Sequence, residues 1–280
     1  MEMKISVVTP CRDAAHRLPR TMRSVLDQTG LADGRMELEY IIMDGASSDG
    51  TRELVNASRN VTLVSEPDAG MFDALTKGLQ RCTGDIVTYL NAGDVLHPEA
   101  FRLIHQLMSD EKIAWLTGSN CKINEAGEVI DFWKPPRFRR EYVLNGTYGR
   151  GYPHPNIQQE GTFFRRGLLE GMNWEKFRSC KLAGDYFLWT HFAAQTELHS
   201  VRSILGCFQV HAGQLSEDAA GYKVETDTMI RAETPREKIT RYWEFDCPPI
   251  LKGLVWPHTL GQSKARVFKF DERAGRWITR

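Results

Sequence analysis

The chain has 280 residues, enough to bury roughly three quarters of its unfolded surface, so a stable core needs no disulfide or metal staples. Hydrophobic residues make up 41% and charged residues 26%, a balance that excludes wholesale disorder. Thirty-six basic residues offset thirty-six acidic ones, so no global positive field exists to hold a nucleic-acid backbone, and nucleic acid is not an expected partner.

No stretch reaches the roughly 18 uninterrupted apolar residues that a membrane span needs. The first ten residues read as a strand, not a secretory leader, and the expected location is cytoplasmic. Six cysteines (Cys11, Cys82, Cys121, Cys180, Cys207 and Cys247) include no C-x-x-C pair. That spacing disfavours a zinc knuckle or redox dithiol, and it points to reduced, mostly buried thiols.

Along residues 1–118, strand and helix signals alternate. Residues 4–9 are a β-branched run, and Leu18, Met22, Val25 and Leu26 keep helical spacing, predicting a helix over about 14–28. Residues 38–43 form a second apolar strand, and Ser47-Ser48-Asp49-Gly50-Thr51 supplies helix-start chemistry. Residues 61–64 are a third strand; Met71, Leu75, Leu79 and Cys82 recur at helical spacing; residues 85–90 are a fourth, almost wholly apolar strand. This alternation predicts a parallel, doubly wound sheet.

The middle differs. Residues 113–117, 121–124 and 128–132 are strand-like, with a turn at Glu125-Ala126-Gly127, and 145–156 is a loop rich in Gly, Pro and Tyr. A strand at 162–165, a helix over about 185–195 and a strand at 201–210 follow. Residues 216–245 read as an exposed, charged helical segment interrupted at Pro235. Residues 262–280 mix aromatic and cationic side chains, which suits either a weak peripheral membrane contact or a tail packed back on the domain.

Ligands of open α/β sheets bind beyond the carboxyl ends of the strands, where strand order reverses. Four such ends carry polar residues: Thr9-Pro10-Cys11-Arg12-Asp13, Asp44 to Gly50, Ser65 to Gly70, and Asn91-Ala92-Gly93-Asp94. G-x-G-x-x-G after the first strand and G-x-x-x-x-G-K-[ST] are both absent, as are H-E-x-x-H and G-x-S-x-G. Any phosphate must therefore be held by a metal or by scattered cations.

Ser6-Val7-Val8-Thr9-Pro10 followed by Ile41-Ile42-Met43-Asp44-Gly45-Ala46-Ser47-Ser48-Asp49-Gly50-Thr51 resembles the N-terminal signature of family 2 glycosyltransferases. The likeness continues through Ser65-Glu66-Pro67-Asp68-Ala69-Gly70-Met71-Phe72-Asp73-Ala74, Tyr89-Leu90-Asn91-Ala92-Gly93-Asp94, Gln158-Gln159-Glu160-Gly161-Thr162-Phe163-Phe164-Arg165-Arg166, Leu182-Ala183-Gly184-Asp185-Tyr186 and Phe208-Gln209-Val210-His211. The resemblance implies a GT-A fold: a central, mostly parallel sheet flanked by helices over residues 1–216, with a C-terminal helical extension over 217–280. Its nucleotide-binding half would be about 1–118 and its acceptor half about 119–216. It also implies inverting transfer from a nucleotide-diphospho-sugar to a glycan or lipid-linked acceptor in surface polysaccharide assembly.

By that resemblance, Thr9, Pro10 and Arg12 belong to the nucleoside cradle. Asp44 would accept a hydrogen bond from the base, which suits uracil or thymine better than cytosine, and Asp68 would lie near the donor. Asn91-Ala92-Gly93-Asp94 occupies the place of the family's D-x-D motif; Gly93 stands where many members carry an acidic residue, leaving Asp94 to hold a divalent cation, Mg²⁺ or Mn²⁺. His211 would reach the diphosphate or metal, and Gln159 and Glu160 the sugar hydroxyls. Asp185 would be the general base. Trp189 belongs in the core, and Asp49 reads as a helix cap. A nucleotidyltransferase would need a Gly- and Lys/Arg-rich triphosphate loop, but residues 9–13 contain no glycine. A binding-only protein would have no need to retain a base at position 185.

Overall fold

The computed structural model describes residues 3–32, 34–149, 154–247 and 263–279. The chain begins β1 (Met3–Cys11), α1 (Leu18–Leu26), α2 (Thr29–Ala32), β2 (Met36–Asp44), α3 (Thr51–Asn56), β3 (Thr62–Ser65), α4 (Met71–Leu79) and β4 (Ile86–Tyr89). Next come β5 (Val95–Leu96), α5 (Ala100–Met108), β6 (Trp115–Ile123), β7 (Val129–Trp133), α6 (Arg140–Leu144), β8 (Thr162–Arg165) and α7 (Trp174–Ser179). The last elements are α8 (Gly184–Ala193), β9 (His199–Ile204), β10 (Gly206–Gln209), α9 (Ala219–Asp227), α10 (Pro235–Arg241), β11 (Val267–Asp271) and β12 (Arg276–Thr279).

The main sheet runs β12-β11-β9-β6-β8-β4-β1-β2-β3. β1, β2, β3 and β4 pair in parallel, with β1 and β4 buried on both faces and β3 a partly exposed edge, while β8 inserts antiparallel between β4 and β6. β2 and β3 lie on one side of β1 and β4 on the other. The carboxyl ends of β1 and β4 therefore flank the switch in strand order, where open sheets leave a crevice.

Side chains alternate across this sheet into two cores. Ile5, Val7, Ile86, Leu116 and Phe163 meet Leu18, Met22 and Val25 of α1 and Phe101 and Ile104 of α5. Val8, Val87, Trp115 and Phe164 meet Phe72 and Leu75 of α4 and Trp189 and Phe192 of α8. Trp189, as expected, is a core residue: it stacks on Trp115 at 5.5 Å between ring centroids, with Phe192 edge-on. All six cysteines are buried, and no disulfide joins them among the described residues.

Several sequence expectations need correction. The two strands at 113–117 and 121–124 are one, β6 (Trp115–Ile123), and two of its polar residues find partners: Thr117 Oγ1 accepts from Thr162 Oγ1 of β8 at 2.9 Å, and Asn120 Nδ2 donates to Asn156 Oδ1 of the loop before β8 at 2.7 Å. The strand at 201–210 breaks at Leu205, since β10 leaves the line of β9 to pair with β5 and the end of β6. Pro235 opens α10 instead of interrupting a helix, under a capping box between Thr234 and Glu237. The extension expected to be helical ends as a hairpin, β11–β12, with β11 parallel to β9 and Val267 and Phe268 buried. Trp256 and part of the 145–156 loop lie outside the described residues. Among the described residues no helix is long and apolar enough to cross a membrane.

Candidate active site

The loops after β1 and β2 are locked together before any ligand arrives. Asp13 and Ala46 take left-handed backbone angles (φ 46° and 58°), uncommon for residues with a Cβ. The surrounding hydrogen bonds hold them there. Asp13 N donates to Ser47 Oγ at 2.8 Å, Ser48 N donates to Asp13 Oδ1 at 2.9 Å, and Ala15 N donates to Asp49 Oδ2 at 2.9 Å. Asp49 also accepts from Thr51 N at 3.0 Å, at the start of α3.

Two cavities open at the strand-order switch and share Met71, Asn91, Ala92 and Leu215. The first, about 320 Å³, is lined by Pro10, Arg12, Arg17 and Asp68. The second, about 330 Å³, is lined by Gly93, Asp94, Gln159, Glu160, Asp185, His211 and Tyr222. At the junction, His211 Nδ1 lies 2.9 Å from Ala212 O and its Nε2 lies 2.7 Å from Arg17 Nη1. Donation from Nδ1 to the carbonyl leaves Nε2 to accept from the guanidinium, which holds Arg17 over the shared wall.

The second cavity concentrates carboxyl groups. Asp94 and Glu160 are 3% and 4% exposed, and burial holds both carboxyls above the usual carboxylate range; the Glu160 charge adds to this at Asp94, and the Asp185 charge adds to it at Glu160. Gln209 N donates to Asp94 Oδ1 at 2.8 Å. Asn91 Oδ1 and Gln209 Oε1 are buried without a partner beside this pair. Buried oxygen acceptors without donors are costly unless something positive completes them. This oxygen-rich set suits a hard divalent cation with one or two protein carboxylates, other positions being left to water and phosphate. Among the described residues no three His, Cys, Asp or Glu side chains form a closed cage.

Gly93 has a physical reason to replace an acidic residue. Its φ is +117°, and a Cβ there would fall 2.5 Å from Gln209 Oε1.

Asp185 enters the same cavity from the first turn of α8. Burial raises its carboxyl to about 6, against the Tyr186 N–H and the Tyr222 hydroxyl that favour the ionised form. A group titrating there is poised to exchange protons near neutrality.

The structure brings Pro10, Arg12, Asp68, Asn91, Gly93, Asp94, Gln159, Glu160, Asp185 and His211 to the cavity walls, and leaves two expected residues off them. Thr9 is fully buried, with Oγ1 3.1 Å from the Tyr40 hydroxyl. Asp44 is likewise turned inward. It accepts from Ser65 Oγ at 2.6 Å, from Ser47 N at 3.2 Å and from Ser47 Oγ, so its carboxylate ties the ends of β2 and β3 to the loop after β2 where it was expected to face a base. The Gln159 amide nitrogen is taken by Tyr89 O. Sequence reasoning missed Arg17, Gln209 and Tyr222. Arg17 and Tyr222 sit in segments read only for periodicity and charge, and Gln209 in a run read as strand.

The molecule is an open α/β sheet with two adjoining cavities at its switch point and buried carboxyls in one of them. Residues 6–171, more than half of the chain, match the profile of glycosyl transferase family 2, and the chain belongs to that family. It is 27% identical over 248 residues to a hyaluronan synthase of Pasteurella multocida, covering 86% of this chain but 24% of the synthase. It is 22% identical over 222 residues to the Escherichia coli UDP-Glc:alpha-D-GlcNAc-diphosphoundecaprenol beta-1,3-glucosyltransferase WfgD, covering 78% of this chain and 81% of that one. The solved structure of S. aureus TarS 1–349 in complex with UDP-GlcNAc superposes with a TM-score of 0.60 at 15% identity, covering 87% of this chain and 73% of that one. The fold is GT-A.

Proposed function

We propose that the chain is an inverting glycosyltransferase of polysaccharide biosynthesis that moves a sugar from a UDP-sugar to a glycan or lipid-linked acceptor. The observation that carries this reading is the pair of adjoining cavities, one bearing Pro10, Arg12 and Asp68 and the other holding Asp185 together with Asp94. Their shared wall gives a nucleoside diphosphate one continuous path. The UDP-GlcNAc complex of TarS supports a uridine donor, and WfgD supports a lipid-linked acceptor.

In this reading Arg12 and Asp68 face the nucleoside. Arg17 and His211, at the junction, meet the diphosphate. Asp94, with Asn91 and Gln209 beside it, would hold a divalent cation, which when bound neutralises the charge growing on the leaving diphosphate. Asp185, ionised above about pH 6, takes the proton from the acceptor hydroxyl as that oxygen attacks the anomeric carbon. Glu160 and Gln159 line the sugar's side of the cavity.

A thermal-shift panel of nucleotide sugars, each with and without Mn²⁺, tests the assignment. A UDP-sugar should raise Tm more with Mn²⁺ than without, and Asp94→Ala should remove the metal's increment. No stabilisation by any nucleotide sugar would contradict the proposal.

A further inference from the structure

Helix α9, which like Asp185 itself lies beyond the residues 6–171 that match the family profile, reaches the candidate base directly. The Tyr222 hydroxyl lies 3.2 Å from both Asp185 carboxylate oxygens and donates to them. One turn on, the Glu225 carboxylate accepts from three successive backbone N–H groups, Lys181 at 2.8 Å, Leu182 at 2.6 Å and Ala183 at 2.9 Å. These are the residues immediately before α8, and such N–H groups have no partner within that helix. At Gly221 the two segments come close: a Cβ there would run into Asp218 Oδ2 and fall 2.6 Å from Leu182 Cδ1. The helix itself is fixed by its Asp218 cap, which accepts from Gly221 N at 2.8 Å, and just beyond it Arg231 N donates to Leu144 O at 2.9 Å.

We infer that α9 is a built-in clamp for the proton-accepting carboxylate, with Tyr222 as a positioning residue for Asp185 and Glu225 fixing the backbone that carries it. The inference rests on Asp185 being the base. The Tyr222 hydroxyl is suited to the task because it stays a donor: burial first, and the adjacent Asp185 charge second, raise its own ionisation far above the working range. Donating to both oxygens, it fixes the plane of the carboxylate and favours its ionised form. Glu225 stays ionised for the opposite reason. Partial burial would raise its carboxyl, but the Ala183, Lys181 and Leu182 N–H groups bring it below the usual carboxylate range. The other charged or titratable groups bearing on Asp185 are Glu225 itself, Cys180 just after α7, Tyr89 at the end of β4, and Glu160 before β8.

The direct test is a ¹³C NMR titration of the aspartate carboxyls in the full chain, with the Asp185 signal assigned by its absence in Asp185→Asn. Wild type should titrate near 6. Tyr222→Phe removes one donor to the ionised form and should move that midpoint upward by about one pH unit, with an accompanying rate loss of about tenfold and unchanged UDP affinity. In Glu225→Ala, amide hydrogen exchange at residues 181–183 should accelerate at least tenfold while the sheet amides keep their protection. An Asp185 midpoint unmoved in a folded Tyr222→Phe protein, or unchanged exchange at 181–183, would overturn the clamp. Full transfer activity in Asp185→Asn would instead overturn the assignment of the base, an outcome the titration does not share.

Discussion

Replacing Asp185 by Asn should disable transfer and stabilise the protein at once. Asn keeps the size of the side chain and an oxygen for Tyr186 N, which donates to Asp185 Oδ1 at 2.8 Å, so the first turn of α8 stays intact. What Asn cannot do is take a proton, and loss of a general base costs roughly a hundred- to ten-thousandfold in rate. The stability term has the opposite sign. Burial lifts the Asp185 carboxyl from 3.8 to about 6 in the folded chain, so between those values the native state holds a proton that the unfolded state has released. Stability therefore falls as pH rises through that window. At about 1.36 kcal/mol per pH unit, keeping the carboxylate ionised at pH 8 costs up to about 3 kcal/mol. Asp185→Asn should accordingly melt higher than wild type at pH 8 and no higher at pH 4, with transfer below about 1% of wild type. The wild-type rate should rise through about pH 6, following the base form. Scanning calorimetry at the two pH values, paired with UDP-release kinetics, reads both effects. More than a tenth of normal activity in Asp185→Asn, or equal melting at pH 8, would refute the reasoning.

The two acidic residues of the nucleoside side should separate cleanly. Asp68→Ala should weaken UDP binding by about tenfold in calorimetry with little change in Tm, whereas Asp44→Ala leaves Ser47 and Ser65 without their buried acceptor and should cost about 1–3 kcal/mol of stability in denaturant titration. Truncation after residue 261 removes β11 and β12 and bares β9. It should lower Tm by several degrees while leaving liposome flotation unchanged. The hairpin should also loosen in acid: His199 accepts Arg266 N at Nδ1 (2.8 Å), and burial lowers its ionisation to about 4, so the stability it contributes above about 6.5 is lost as pH falls towards 4. Hydrogen exchange along residues 267–270, measured at pH 7 and pH 4.5, checks this.

The N-terminal half was legible because local and global signals agree there. β1, β2 and β4 are apolar runs buried on both faces, and the spacing of Leu18, Met22 and Val25 is the face that α1 buries. α5 carries the same signal, since Phe101, Ile104 and Met108 recur at helical spacing after Pro98. Residues whose partners are remote were not legible. Asp44 sits in a motif that implies ligand contact, and only the fold puts Ser47 and Ser65 around its carboxylate. Tyr222 lies in a helix with exposed, charged neighbours, and nothing local marks it as reaching Asp185, 37 residues away. The hairpin at the end mixes Lys269 and Arg276 with Phe268 and Trp277, a composition that fits an edge of a sheet as well as a membrane surface.

The central claim is that a nucleotide-sugar spans the two cavities, with its diphosphate beside Asp94. A crystal structure of the full chain soaked with UDP and Mn²⁺ tests it most directly. The account predicts uracil density against Pro10, Arg12 and Asp68, diphosphate density between Arg17 and Asp94, and an anomalous manganese peak at the Asp94 carboxylate. Nucleotide bound elsewhere on the chain, or manganese bound away from Asp94, would contradict it.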